Sequence, residues 1–455
     1  MKTKKVVITI TIFFCFICII SIAGFLNDNV PDSYSINENG EKLFGRFMYF
    51  EGTIYVSIPS SGYHPIPEAD KKSFHSISNN YYDTHIGIDK DNVFCGNQII
   101  PKMNPKTVQA LGNNYYTDGK TTCYCNISTE INNKLTEVGI REQINYVFFK
   151  GEKPQTYVYP LIMLPNSETS YYSLSSHSLA TNGKQVFYKG QVMSKANPEN
   201  TTALSLNKNN NNRQSFIYFR DGKHVYYKQN LLPIIDNKEI YSIQLDAQNV
   251  KSYIYNPIDG MVYIDTISFS KKHKPYRIIS KFGSHVYHSL WLSKNGVYFY
   301  NTEEREVQRV ANNPFANNDF KEIAPLVFSN GKKTLFVDAY EKRNNNKNNK
   351  SLDSRYTAIN RLDNLDPKQS WEKLGDINTF GSVWKHGKHW YYFDNLGESR
   401  LIFNTIYKIT DQETAESLIN TDIFGNKVIL KLIKEKKLTK PKYTEILQAK
   451  TKYNF

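Results

Sequence analysis

A short hairpin pattern that recurs along the chain constrains the fold more than any other feature. Its clearest copy, residues 216–228 (FIYFRDGKHVYYK), has an aromatic strand, the dipeptide Asp221-Gly222 and a second aromatic strand. Asp-Gly and Asn-Gly favour tight turns with positive φ at both central positions, which match the twist of two antiparallel strands. Each copy therefore predicts a β-hairpin.

Further copies occur along the chain at similar spacing. From Gly183 the turn glycines are 39, 38, 36 and 35 residues apart, and a last step of 56 contains the Asn-rich insert 344–350. A second insert, 207–212, lies in the step of 39, and both are predicted surface loops. Residues 146–151 (YVFFKG) are predicted to supply a missing copy. The other turns are Asp89-Lys90-Asp91-Asn92, Asp118-Gly119, Asn182-Gly183, Asp259-Gly260, Asn295-Gly296, Asn330-Gly331 and His386-Gly387.

The aromatic content favours strands, with 33 tyrosines and 26 phenylalanines. Hairpins with one apolar face must pack on their neighbours. We therefore expect an all-β fold of tandem hairpin repeats, propeller-like or stacked and solenoid-like. Repeat tyrosines such as Tyr226, Tyr227 and Tyr391 are predicted to pack between hairpins; an exposed row that binds sugars or peptides is the alternative.

Three N-terminal segments share a capping pattern. Asp70, Asn104 and Asn197 each begin a segment in which an Asx side chain can accept from the free amides of a short helical turn. Proline follows two of them, at a position where a helical turn tolerates it. A capped turn is predicted at each.

The hairpin units resemble the DKNYY family, bacterial envelope-type proteins with a repeated Asp-Lys-Asn-Tyr-Tyr-like pattern. The resemblance covers roughly residues 45–230, and more loosely extends to about residue 395. The resemblance implies a repeated structure and export, and it implies no enzymatic activity because none is assigned to the family. It rests on residues 89–94, 118–120, 182–188 and 221–227.

The first 26 residues predict membrane targeting. Lys2, Lys4 and Lys5 precede an uncharged run, residues 6–26, which as a helix would span about 31 Å. The lysines place the N-terminus in the cytoplasm and the body on the periplasmic or outer side. We expect an uncleaved single-pass anchor in the cytoplasmic (inner) membrane. Cleavage near Ala23, giving a periplasmic or secreted product, is the alternative.

Four regions are predicted. Residues 1–26 form the anchor or signal peptide, 27–206 the DKNYY-like repeats, 207–410 a propeller-like β-region, and 411–455 a helix starting at Asp411 followed by a basic tail. The formal net charge is +14, but much of it lies in the targeting segment and in nine lysines after residue 426. We therefore predict no nucleic-acid partner. The C-terminal lysines are a candidate contact with an anionic envelope surface; a solvated terminus is the alternative.

Cys95 and Cys125 occupy matching positions in successive hairpins. If these hairpins stack in register, the two side chains meet, and an oxidising compartment permits a disulfide. Pairing of Cys95 with Cys123, or two buried thiols, are the alternatives.

No catalytic, cofactor-binding or metal-binding residues are predicted. The pairs His285/His288 and His386/His389 lie in strand-like stretches, where residues three apart face opposite sides of a sheet. No phosphate loop, nucleophile elbow or zinc-protease motif occurs. We therefore expect a non-enzymatic, membrane-tethered envelope protein whose β-repeats bind a protein or polymer. The alternative is a propeller-type hydrolase of envelope carbohydrate, with catalytic residues drawn from separate repeats.

Overall fold

The computed structural model describes residues 33–149, 151–206, 213–244, 252–280, 286–317, 319–344, 351–377, 380–394, 404–420 and 426–453. Their regular secondary structure is mostly β-strand, as the hairpin pattern predicts. They divide into two compact units. The first runs to Ala203 and includes Phe219–Ile235; the second contains Leu204–Tyr218 and the residues from Asp236 onward.

The first unit consists of small antiparallel sheets, most of them four-stranded, whose strands follow the chain. The first sheet contains β1 (Glu41–Phe44), β2 (Phe47–Phe50), β3 (Thr53–Ile58) and β4 (Gly62–Ile66); the second contains β5 (His75–Ser76), β6 (Ile86–Ile88), β7 (Val93–Cys95) and β8 (Gln98–Ile99). The third contains β9 (Gln109–Gly112), β10 (Tyr115–Thr117), β11 (Thr122–Cys125) and β14 (Leu161–Met163), and a two-stranded sheet contains β12 (Glu130–Ile131) and β13 (Tyr157–Val158). The next contains β15 (Tyr172–Ser173), β16 (Leu179–Thr181), β17 (Val186–Tyr188) and β18 (Gln191–Met193).

Four strands follow in sequence: β19 (Thr202–Ser205), β20 (Gln214–Arg220), β21 (His224–Tyr227) and β22 (Asn230–Ile235). Of these, β21 and β22 are paired within the first unit. The same unit contains helix α1 (Ser33–Asn39), helix α2 (Ile140–Phe149) and a 3-10 turn (Tyr81–Asp83).

The second unit repeats the four-stranded pattern and then enlarges it to five strands. Its sheets contain β23 (Tyr241–Gln244), β24 (Ser252–Asn256), β25 (Met261–Ile264) and β26 (Ile267–Ser268); then β27 (Arg277–Ile278), β28 (Trp291–Ser293), β29 (Gly296–Asn301) and β30 (Glu306–Ala311). The two larger sheets contain β31 (Lys321–Ala324), β32 (Val327–Ser329), β33 (Thr334–Arg343), β34 (Leu352–Leu362) and β40 (Tyr443–Lys452); and β35 (Trp371–Ile377), β36 (Gly381–His386), β37 (His389–Asp394), β38 (Ile406–Ile409) and β39 (Leu438–Thr439). A 3-10 turn (Lys271–His273) and helices α3 (Gln412–Ile419) and α4 (Asn426–Lys434) complete it.

Two elements differ from the sequence-based prediction. Residues 146–149 do not form a hairpin strand; they end helix α2, whose apolar Ile140, Ile144 and Phe148 recur every four residues. The C-terminal lysines do not form a free tail, because β39 and β40 extend two sheets. In β40, Leu447, Ala449 and Thr451 are buried, and this alternation is typical of a strand.

The predicted helix at Asp411 is confirmed. The Asp411 side chain caps α3 by accepting a hydrogen bond from the amide of Thr414 at 2.8 Å. Among the described residues no helix is long and apolar enough to cross a membrane. The run predicted as an anchor, residues 6–26, and the Asn-rich insert 207–212 lie outside the described residues, as does 345–350 of the other insert.

The turn aspartates hold the repeats together. In the third sheet, Oδ1 of Asp118 accepts from the amides of Lys120 (2.8 Å) and Thr121 (2.6 Å), which shapes the hairpin turn. Its Oδ2 accepts from the amide of Asn104 (2.6 Å), the first residue of a predicted capped turn. One carboxylate therefore joins two turns that lie 14 residues apart.

The same arrangement recurs at two other repeats. Oδ2 of Asp89 accepts from the amide of Asp70 at 3.0 Å, and Oδ2 of Asp221 accepts from the amide of Asn197 at 3.3 Å. In both cases Oδ1 accepts from the amides two and three residues further on. The predicted capping is confirmed at Asn104 and Asn197, whose side-chain oxygens accept from the amides of Lys106 and Glu199 at 3.0 Å. The pairing of these turns with the hairpin turns was not predicted.

Successive sheets share their cores. In the first unit, Phe47 of β2, Phe94 of β7 and Tyr116 of β10 belong to one buried cluster, so three sheets pack together. In the second unit, Val262 of β25 and Trp291 of β28 join two further sheets. Repeat tyrosines lie in these cores: Tyr226 is fully buried, and Tyr391, Tyr392 and Tyr188 are each at most 4% exposed. The prediction that repeat tyrosines are core residues is confirmed for them.

Replacing Asp118 with Asn tests the role of the turn carboxylate. The carboxamide can keep the Oδ1 acceptor, but its NH₂ group cannot accept from the Asn104 amide. We expect Asp118→Asn to lower the free energy of unfolding by about 1–3 kcal/mol, measured by urea denaturation. The control is Asp91→Asn, since the exposed Asp91 side chain makes a long ion pair with Lys90, at 3.9 Å. Its effect on the free energy of unfolding should stay within about 0.5 kcal/mol. Equal urea midpoints for the two variants would contradict this role.

Candidate functional site

The first unit contains a pocket of about 550 Å³ with an aromatic rim and mostly polar lining residues. We call it the Asp83 pocket. The 3-10 turn, the end of β9 and the loop before β16 contribute to it. Its lining residues are Ser78, Asn80, Tyr82, Asp83, Ala110, Gly112, Asn113, Asn114, His177 and Ser178.

The 3-10 turn forms the aromatic side of the pocket. Asn80 caps it, because its side-chain oxygen accepts from the amide of Tyr82 at 3.1 Å. This turn buries Asp83, which is 7% exposed, and leaves Tyr81 and Tyr82 69% and 61% exposed. The two rings meet edge to face with centroids 5.7 Å apart. An exposed, pre-oriented aromatic pair therefore stands beside a buried carboxylate.

The Asp83 carboxylate is held by two hydroxyl groups. Ser78 Oγ donates to Oδ2 at 2.6 Å, and the Tyr116 hydroxyl donates to Oδ1 at 2.8 Å. Burial, and then the neighbouring Asp83, raise the pKa of Tyr116 far above its ordinary value, so its hydroxyl remains a donor. An ionised carboxylate has about four acceptor sites, so Asp83 can accept further hydrogen bonds from a ligand.

The opposite side of the pocket is built by two asparagines. Asn113 and Asn114 have φ angles of 54° and 65°, in the left-handed region that Asn tolerates. The Asn113 side-chain amide donates to the carbonyls of Leu174, Ser176 and Leu179, which bracket His177 and Ser178. Asn113 therefore holds the loop that lines the pocket.

Asn114 supplies an unused acceptor. Its Oδ1 atom is buried and accepts no hydrogen bond from the described residues. Leaving such an atom unpaired costs about 1–3 kcal/mol, so a hydroxyl donor from a ligand would offset that cost. Together with Asp83, it makes the pocket rich in acceptors.

The lining of the Asp83 pocket is poor in acidic groups. Asp83 is the one carboxylate in its lining, whereas acid–base hydrolysis of a glycosidic bond ordinarily uses two. Within the described ranges, no group of three or more His, Cys, Asp or Glu residues is placed to hold a metal ion. What the lining does offer is a ring surface and several hydrogen-bonding groups.

The structure joins Cys95 of β7 and Cys125 of β11 in a disulfide, with Cα atoms 6.1 Å apart. Both cysteines are fully buried in the cluster shared by the first three sheets. Cys123, the alternative partner, is a buried free thiol whose pKa is raised to about 12 by burial and then by Asp118.

The histidines that were weighed as metal ligands have other surroundings. The His288 ring lies between the hydroxyls of Thr357 (3.0 Å) and Thr451 (2.9 Å), and His285 lies outside the described residues. The prediction that His386 and His389 face opposite sides of a sheet is wrong. The turn at Gly387 reverses the chain between them and pairs them directly across a hairpin.

None of the pocket residues was singled out from the sequence. The available signal was Asn80-Tyr81-Tyr82-Asp83, a tyrosine pair outside the hairpin positions and next to an Asx cap. This segment forms a pocket only together with Asn113 and His177, which are distant in sequence and belong to no motif.

The fold and pocket define a protein of repeated β-sheets with a polar pocket in its first unit. Residues 47–230 match the model of the DKNYY family, and this stretch contains every residue that lines the Asp83 pocket. The resemblance predicted from the hairpin units is confirmed over these residues. No curated protein and no solved structure matches the chain.

Reducing the disulfide should weaken the first unit. The bond closes a loop between residues 30 apart in sequence, and loss of such a cross-link typically costs about 2–4 kcal/mol. We expect dithiothreitol to lower the urea midpoint of the wild-type chain. Cys123→Ala is the control: it should keep the Cys95–Cys125 bond on peptide mapping and remain sensitive to the reductant. A wild-type midpoint that dithiothreitol leaves unchanged would refute the prediction.

His85 should make stability depend on pH. It is fully buried, its Nε2 lies 3.1 Å from the Cys125 carbonyl, and burial lowers its pKa to about 4. The unfolded chain, with an ordinary pKa near 6.5, binds the proton first, so this histidine's contribution is present above about pH 6.5 and lost as pH falls toward 4.

We expect the difference in urea midpoint between wild type and His85→Gln to shrink from pH 7 to pH 4.5. His75→Gln, at an exposed position, is the control and should show a constant small difference. If the difference in urea midpoint between wild type and His85→Gln stays constant or grows on acidification, His85 is not a buried neutral imidazole.

Proposed function

We propose that this protein is a non-enzymatic, membrane-tethered envelope protein whose β-repeats bind a polymer rich in hydroxyl groups, such as an envelope polysaccharide. The observation that carries the proposal is the exposed Tyr82 ring at a pocket that also contains the Asp83 carboxylate and the unpaired Asn114 oxygen.

The chemistry of a sugar ring suits these groups. Its C–H face can pack on the Tyr82 ring, which buries apolar area while the phenol hydroxyl remains hydrated. Its hydroxyls can donate to Asp83, whose carboxylate keeps acceptor sites beyond those used by Ser78 and Tyr116. Asn80 and His177 add polar groups at the lining. A polysaccharide would lie across the exposed Tyr81 and Tyr82 rings and place one sugar unit in the pocket.

Two features support an envelope location. Lys2, Lys4 and Lys5 with the apolar run 6–26 support a single-pass anchor in the cytoplasmic membrane, with the body on the periplasmic or outer side. The Cys95–Cys125 disulfide suits an oxidising compartment. Cleavage near Ala23 would instead release the body.

We also propose that the sheets within each unit repeat as propeller-like blades or solenoid-like layers. Most four-stranded sheets have their strands in chain order, and buried clusters join sheets that follow one another in each unit. This is the geometry that repeated hairpins with one apolar face require.

Binding is tested with the full chain, purified in detergent, on isolated peptidoglycan and a panel of soluble neutral and anionic polysaccharides. We expect at least one polymer to bind and Tyr82→Ala to weaken binding by about tenfold, equivalent to about 1.4 kcal/mol. The control is Tyr172→Ala, a tyrosine 50% exposed that does not line the pocket.

Three outcomes would count against the proposal. One is absence of binding to any polymer, and another is equal weakening by Tyr82→Ala and Tyr172→Ala. The third is release of new reducing ends during incubation, which would favour the alternative of a carbohydrate hydrolase.

A further inference from the structure

Helix α2 exposes an apolar surface in the first unit. Ile140 is 65% exposed, Phe148 is 45% exposed and Phe149 is 73% exposed. Ile140 and Phe148 lie on one face because they are eight residues apart, and Phe149 adjoins them. We call these three residues the α2 apolar stripe. Val138, 40% exposed just before the helix, extends it.

A surface concavity of about 670 Å³ follows the same helix. It is lined by apolar Ile140, Ile144 and Phe149, together with the charged Arg141 and Glu142. Aromatic and aliphatic side chains beside an arginine are typical of helices that lie in the interface of a bilayer. The helix has ten residues, enough for such a contact but too few to span a membrane.

The N-terminal end of the described chain lies near this helix. A Cβ atom at Gly62 would approach both Ser33 Oγ (2.7 Å) and Lys153 Nζ (3.6 Å), so Ser33 and Lys153 flank the same glycine. Lys153 also donates to the carbonyl of Tyr63 at 2.8 Å. It follows Phe149 by four residues, which can span at most about 14 Å. The C-terminal end of α2 therefore lies within about 14 Å of the Lys153 backbone, and the Lys153 side chain reaches the glycine that Ser33 also flanks.

Only a short segment of sequence separates the apolar run 6–26 from Ser33. Seven residue steps separate Leu26 from Ser33, and they can span at most about 25 Å. A bilayer that holds the run must therefore lie within this distance of Ser33. Tyr34, 72% exposed in α1, adds an aromatic side chain where membrane proteins favour tyrosine.

We infer that the α2 apolar stripe docks into the interface of the membrane that holds residues 6–26, which orients the first unit at the bilayer surface. This inference rests on the membrane tether in the proposed function. The occupant is the lipid itself: headgroups meet Arg141, and the upper acyl chains meet Ile140, Phe148 and Phe149.

The test uses the full chain in vesicles of phosphatidylcholine and phosphatidylglycerol with brominated acyl chains, which quench nearby tryptophan. The reporter variant is Phe149→Trp, and Ile140→Trp is a second reporter on the same stripe. The control is Ile235→Trp, at a position 85% exposed on β22 of the same unit. Emission of the wild-type chain, from its four native tryptophans, is subtracted.

We expect the chain to float with the vesicles, both stripe reporters to lose most of their added emission, and Ile235→Trp to keep its emission. Flotation with unquenched stripe reporters would overturn the docking and leave the tether intact. Absence of flotation would refute the tether, and the docking with it. Unquenched, blue-shifted stripe reporters with cross-linked dimers would show that a second copy covers the stripe instead of lipid.

Discussion

The arrangement of the first unit depends on the aspartate carboxylate at three of its hairpin turns. One oxygen shapes the turn by accepting from the next amides, and the other accepts from the first amide of a separate capped turn. An amide side chain can perform the first task but offers no second acceptor. Asn182 illustrates this, because its Oδ1 accepts from Lys184 and Gln185 within its own turn. The carboxylate therefore fixes the position of its hairpin relative to the capped turn.

Because the turns are held in this way, the strands between them can be very short. β7 has three residues, yet Val93, Phe94 and Cys95 are all fully buried. Such strands gain little from their own ladder, so burial between successive sheets and the Cys95–Cys125 bond must supply much of the stability. The same rigidity holds the Asp83 pocket, since its walls are the 3-10 turn and the Asn113 turn rather than long strands.

Local patterns predicted much of the fold. The Asx-Gly dipeptides located hairpins, the capping pattern located the partners of Asp89, Asp118 and Asp221, and Asp411 located the start of α3. The prediction was wrong where it relied on aromatic content and not on the spacing of apolar residues. Residues 146–149 are aromatic, which suggested a strand, but the fourfold spacing of Ile140, Ile144 and Phe148 is helical. The alternation in β40 was similarly hidden by its lysines.

The sequence by itself determined the hairpin turns, the capped turns, the β-rich class and the family resemblance over residues 47–230, because each depends on neighbours within a few positions. It also contained the apolar run 6–26 and the matched positions of Cys95 and Cys125. Only the tertiary structure decided that Asp83 meets Tyr116, that Asn113 holds the loop of His177, and that Ser33 lies beside Lys153. Those contacts join residues tens of positions apart, and their geometry is set by how one sheet packs on the next, which no local pattern encodes.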